Sequence, residues 1–140
     1  MVAFVTVAKG LVVLLIGLAV GQARAEHEVN HRYVMLGYMK DANGRPLPGV
    51  AVRVSRVKTE LHYEETTDQD GFYAIIVHLH DENLGEQLEV GARGLSVAHV
   101  AQFDAQDTKT ERGTRIDFVG TSIEERRSWF LATLRQYLSR

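Results

Sequence analysis

Three histidines and a glutamate have the types and spacing that could bind a metal ion in this 140-residue chain. His78 and His80 stand two residues apart in FYAIIVHLH, alternating with Tyr73, Ile75, Val77 and Leu79. Residues i and i+2 of a strand share a face about 7 Å apart, so if the apolar set faces a core, both imidazoles face outwards. Upstream, Leu61 and Tyr63 leave Glu60, His62 and Glu64 on an outward face. A hairpin around Asp70-Gly71 that pairs Leu61 with Leu79 and Tyr63 with Val77 sets His62 opposite His78 and Glu60 opposite His80, with Cβ atoms about 5 Å apart. Three imidazoles and a carboxylate suit zinc or copper(II). The same residues also fit an ordinary polar strand face, and a one-residue register slip would disperse them.

The elements that must carry these residues are strands. From Arg32 to Val119 the apolar residues alternate instead of recurring every three or four, the period of half-buried strands. Val50, Val52 and Val54 fall on one face and Arg53 on the other. Further runs are 34–40, 61–67, 72–79, 88–93, 96–103 and 115–119. Seven short strands with turn residues between them predict an all-β, antiparallel Greek-key sandwich over residues 32–120. No helix-period segment separates them, which argues against a parallel α/β sheet.

At the N-terminus, Lys9, the apolar run 11–20 and Ala23-Arg24-Ala25 have the layout of a secretory signal peptide, residues 1–25, cleaved after Ala25. An uncleaved anchor needs about twenty apolar residues, and Lys9 and Gly10 interrupt this run. Residues 26–31 then form a short flexible leader, and the expected location is periplasmic or extracellular. With Lys9 and Arg24 removed, 14 basic residues face 18 acidic ones, a formal charge of -4. That balance does not suit a nucleic-acid backbone. The chain has no cysteine, so neither disulfides nor thiol chemistry can contribute.

DANGRPLPGVAV, residues 41–52, contains both prolines of the chain. Gly44 and Gly71 follow Asn43 and Asp70 in turn pairs that tolerate positive φ. Pro46 and Pro48, followed by Gly49, cannot donate to a ladder and belong at an edge or a connection. Thr67-Asp68-Gln69-Asp70-Gly71 has the start of a calcium loop but not its remaining ligands.

VMLGYMKDANGRPLPGVAVRV, TTDQDGFYAI and LEVGARG together resemble the carboxypeptidase regulatory-like domain over roughly residues 33–119. The resemblance implies a transthyretin-like or immunoglobulin-like sandwich and a non-catalytic module for folding, docking or surface recognition. A hydrolase of the transthyretin family that acts on 5-hydroxyisourate starts similarly. Where its pattern has a catalytic histidine and a catalytic arginine, this chain has Gly37 and Phe72, and it ends Tyr137-Leu138-Ser139-Arg140 where a Tyr-Arg-Gly-Ser signature would stand.

After Gly120 the period changes. Thr121 or Ser122 with Glu124 or Glu125 can form a capping box, and residues 121–140 read as an amphipathic helix. Ile123, Phe130, Leu131, Leu134, Tyr137 and Leu138 form its apolar stripe beside Arg126, Arg127 and Arg135. Either the sandwich covers that stripe, or Trp129, Phe130, Leu134, Tyr137 and Leu138 meet an envelope protein or a membrane surface. The expected function is an exported, non-enzymatic accessory module that binds an envelope protein. The alternatives are a zinc or copper protein using the histidine patch and a small hydrolase. No cofactor is expected beyond that metal.

Overall fold

The computed structural model describes residues 28–140, so the expected signal peptide and the first two residues of the leader lie outside the described residues. Within the expected leader, residues Val29–His31 form a single 3-10 turn. The strands are β1 (Tyr33–Lys40), β2 (Ala51–Arg56), β3 (His62–Thr66), β4 (Phe72–Val77), β5 (Gln87–Ala92), β6 (Leu95–Val100), β7 (Gly113–Val119) and β8 (Ser122–Glu125), and one helix, α1 (Phe130–Leu138), follows. Two four-stranded sheets face each other, in the orders β4-β1-β7-β8 and β3-β2-β5-β6. This is a β-sandwich, with eight strands among the described residues instead of seven.

The alternation read in the sequence is the alternation that packs. Tyr33, Met35 and Met39 of β1, Val52 and Val54 of β2, Tyr73, Ile75 and Val77 of β4, and Leu88 and Val90 of β5 meet Ile116 and Phe118 of β7 between the sheets. Each such side chain gains roughly 1.5–3 kcal/mol on full burial. Tyr73 carries its hydroxyl into this core and donates it to the Ile116 carbonyl at 2.7 Å, which satisfies the polar atom.

Two departures have local causes. β1 runs parallel to β7, with Val34 opposite Gly113 and Lys40 opposite Val119, so the first sheet is mixed and not wholly antiparallel. Gly37 permits the close approach, since a Cβ there would lie 1.8 Å from the Ile116 carbonyl oxygen. The second departure is at 122–125, expected to start the helix. Ser122 pairs with Val119 and Ile123 with Phe118 across a two-residue turn, and Ile123 packs on the main core. Burial of Ile123 and ladder bonds outcompete the capping box, and the helix begins only at Phe130.

That helix lies on the outer face of the first sheet. Phe130 and Leu134 are buried with Val34, Leu36 and Phe72. Tyr33, Val34, Met35 and Leu36 are therefore all buried, because β1 is covered by the opposing sheet on one side and by α1 on the other. A continuous apolar run marks a strand enclosed on both faces.

Candidate functional site

The turn motifs serve the backbone. Asp41 Oδ1 accepts from the backbone N–H groups of Asn43 and Arg45, each at 2.9 Å. Asp68 Oδ1 accepts in the same way from Asp70 and Phe72 at 2.9 Å, and its Oδ2 receives Arg140 at 3.0 Å. Burial raises the Asp68 carboxyl, but these backbone bonds and Arg140 together hold it below its usual value. Gly44, Gly49 and Gly71 all have positive φ, as the turn pattern requires. Pro46 and Pro48 lie in the connection between β1 and β2. Neither hydrolase position offers a reactive group: Gly37 has no room for a side chain, and Phe72 is buried beside α1.

The expected histidine hairpin is not formed. β3 pairs with β2, setting His62 against Ser55 and Tyr63 against Val54, whereas β4 pairs with β1, setting Val77 against Tyr33. The chain changes sheets at 67–71. Thr67 keeps the end of β3 beside β2, its hydroxyl donating to the Leu47 carbonyl and accepting the Val50 N–H. Gly71 fixes β4 to β1 by accepting the Met39 N–H at 2.7 Å. Leu61, expected inside, is 53% exposed, and Glu60 stands at φ 60 in the turn before β3. Among the described residues, no group of three or more His, Cys, Asp or Glu is arranged to hold a metal ion. The structure does bring two of the four together. The Nε2 atoms of His78 and His80 are 3.0 Å apart, and His31 packs its ring against His80 with centroids 4.6 Å apart.

The tail divides the residues expected to meet a partner. Phe130 and Leu134 belong to the sandwich, while Trp129, Tyr137 and Leu138 remain exposed. Arg115 joins the helix to the sheet, donating to Asp117 at 2.9 Å and to the Thr133 hydroxyl at 3.0 Å, with Tyr38 and Trp129 rings against its guanidinium. Beside the helix runs a groove of about 550 Å³, whose lining includes Val34, Ala74, Ile76, Tyr137 and Leu138. Its other wall is β3, with Tyr63, Glu64 and Glu65, and Arg32 and Glu111 also line it. Arg32 Nε donates to Glu111 at 3.0 Å. Within that lining, Ile76 of β4 is 62% exposed and Leu138 of α1 67% exposed.

Two polar assemblies had no sequence signal, because each draws on distant elements. Tyr33 is hydrogen-bonded to His99 between the sheets, and His99 Nδ1 lies 3.2 Å from Oε1 of half-exposed Glu125. Arg112 is buried; its Nη1 donates to Asp81 at 2.8 Å and also reaches the Asn30 carbonyl, while its guanidinium lies 4.3 Å over the Phe103 ring. It fastens the polar 104–112 loop to the 3-10 turn at Asp81–Asn83. Each residue looks like isolated polar filler in its own strand or loop.

No protein-family model matches the chain, and no curated protein matches it. Among solved structures, the C-terminal domain of the T6SS protein TssM from EAEC is 14% identical, with TM-score 0.46 over 68% of this chain and 97% of that one. The dioxygenase domain of a dioxygenase carbohydrate-binding protein fusion from Streptomyces sp. SirexAA-E is 15% identical, with TM-score 0.43 over 66% and 81%. Catechol 1,2-dioxygenase from Acinetobacter sp. ADP1 is 16% identical, with TM-score 0.38 over 62% of this chain and 44% of that one. These are weak likenesses of fold and transfer no chemistry to this chain.

Proposed function

We propose that this chain is an exported, non-catalytic β-sandwich module of the carboxypeptidase regulatory-like, transthyretin-like kind, which acts by binding an envelope protein. Its sequence motifs are spent on turns: the carboxylates of Asp41 and Asp68 hold backbone N–H groups instead of facing a cavity. The observation that carries the binding role is the groove between α1 and β3. Exposed Ile76, Tyr137 and Leu138 give it apolar walls, and Glu65 gives one wall a negative edge beside Glu64, which pairs with Arg53. The occupant that fits is a protein segment with apolar side chains flanked by basic ones, since such a surface excludes water at its centre and is paired at its rim.

A photo-crosslinking residue placed at Ile76 or at Leu138, with Val57 as a remote exposed control, tests this in the presence of envelope extract. The expected result is one discrete adduct from the two groove positions and none from Val57, lost when Leu138→Asp is combined with the Ile76 probe. Equal adducts from Val57, or none from either groove position, would overturn it. Sedimentation with anionic lipid vesicles that Leu138→Asp abolishes would reassign the groove to a membrane surface.

A further inference from the structure

Val77 and Leu79 are fully buried on either side of His78, and they keep the chain extended as it leaves β4. The His80 backbone is held by Asn83, whose side-chain oxygen accepts the His80 N–H at 2.8 Å and whose own N–H donates to the His80 carbonyl at 3.0 Å. The two imidazoles are thus mounted on fixed backbone. Their Nε2 atoms are 3.0 Å apart, their centroids 4.6 Å apart and their planes at 85°.

Those two distances describe how the two rings are turned towards each other. A hydrogen bond with Nε2–H aimed along the lone pair of the other ring would place the centroids about 5.3 Å apart, because each centroid lies about 1.1 Å behind its nitrogen. Two nitrogens converging on one ion from about 2.05 Å would place the centroids about 4.7 Å apart. The observed 4.6 Å is close to the second value, so the direct Nε2–Nε2 hydrogen bond is strongly bent and both nitrogens are turned towards a common point. At the observed separation the two nitrogens subtend about 94° at such an ion, near the cis angle of a square-planar site. Copper(II) favours that geometry and stands highest among the divalent first-row ions for nitrogen ligands.

We propose that His78 and His80 bind one copper(II) ion through both Nε2 atoms, in cis positions of a tetragonal site completed by water. Each ring supplies the Nε2 lone pair while carrying its N–H on Nδ1. Binding to the neutral pair therefore shifts one ring's tautomer and releases no net proton. His31, packed on the His80 ring at 56°, braces that imidazole. Glu60 and His62 take no part.

The test is a titration of the purified chain with copper(II) sulfate, read by electron paramagnetic resonance and thermal midpoint. One equivalent should give a tetragonal spectrum with coupling to two nitrogens and a raised midpoint. His78→Ala and His80→Ala should each weaken binding roughly tenfold or more, since a chelate becomes a single ligand. His62→Ala should leave it unchanged. Far-UV circular dichroism checks that every variant folds. Undiminished binding in the His78→Ala, His80→Ala double variant, no binding at micromolar copper(II), or an equal loss from His62→Ala would each overturn the site.

Discussion

The hydroxyl of Tyr33 lies 2.7 Å from Nε2 of His99, joining β1 of one sheet to β6 of the other. Burial pushes the Tyr33 hydroxyl up to about 12, so it keeps its proton and donates. The His99 N–H then resides on Nδ1, which lies 3.2 Å from Glu125 Oε1, and that oxygen also accepts from Thr114 at 2.8 Å. Burial holds His99 below the usual histidine value against the pull of Glu125, and Arg127 acts in the same direction as burial.

Acid should therefore weaken the fold through His99. With its folded value lowered, the unfolded chain takes up the proton first, so stability present above about pH 6.5 is lost as pH falls through the folded value. The thermal midpoint should fall between about pH 7 and 5. His99→Gln should cost about 1–3 kcal/mol at neutral pH and show a flatter slope over the same interval. Parallel slopes for the two proteins would exclude His99 as the source.

Gly71→Ala should be more damaging than Gly44→Ala. Both glycines have positive φ, which costs a side chain of the order of 1 kcal/mol. A Cβ at Gly71 would also lie 2.3 Å from the Met39 carbonyl, whereas at Gly44 it meets nothing within 4 Å. Urea midpoints that rank the two variants the other way would contradict the account.

The helix should behave as part of the core. Phe130→Ala should cost about 3–5 kcal/mol and Leu134→Ala about 2–5 kcal/mol, as for other buried truncations. Leu138→Ala, on the exposed side, should stay within about 0.5 kcal/mol. Calorimetry on the three variants checks this, and a neutral Phe130→Ala would mean that α1 is only loosely attached.

Glu86 should mark a second acid limit. Arg56 Nε and Nη2 donate to its two carboxylate oxygens at 2.6 and 2.8 Å, and these bonds outweigh burial to hold the carboxyl below its usual value. Stability from this pair is present above about pH 4.3 and lost as pH falls through the lowered value. Glu86→Gln should lower the midpoint at neutral pH and reduce the loss between about pH 5 and 3; an unchanged acid slope would count against it.

Period and turn chemistry were legible in the sequence because they are local. Tyr73, Ile75, Val77 and Leu79 face the core as their alternation requires, and Gly44 and Gly71 have the φ their turn pairs require. Strand partners were not legible. Asp70-Gly71 looks like a hairpin turn, yet Thr67 and Gly71 hold the flanking strands in opposite sheets, so His62 and His78 were wrongly paired. Residues 122–125 carry a capping box and a strand pattern at once, and only the presence of Phe118 opposite Ile123 decides between them. The likeness of Arg112 and His99 to surface residues ends only when four separate segments have come together.

The parallel neighbours β1 and β7 impose an order of assembly. Tyr38 and Asp117, joined by a backbone N–H to a carboxylate oxygen at 3.0 Å, are 79 positions apart. A chain delivered N-terminus first, from a ribosome or through a pore, can complete the sheet of β2, β3, β5 and β6 from neighbours within about fifty residues. β1 meanwhile has only β4 beside it, with one edge and one apolar face still open to water. Closing that long loop is the slow step expected of distant pairing. The sheet of β1 and β4 is thus incomplete without residues 113–119, and α1 covers its outer face.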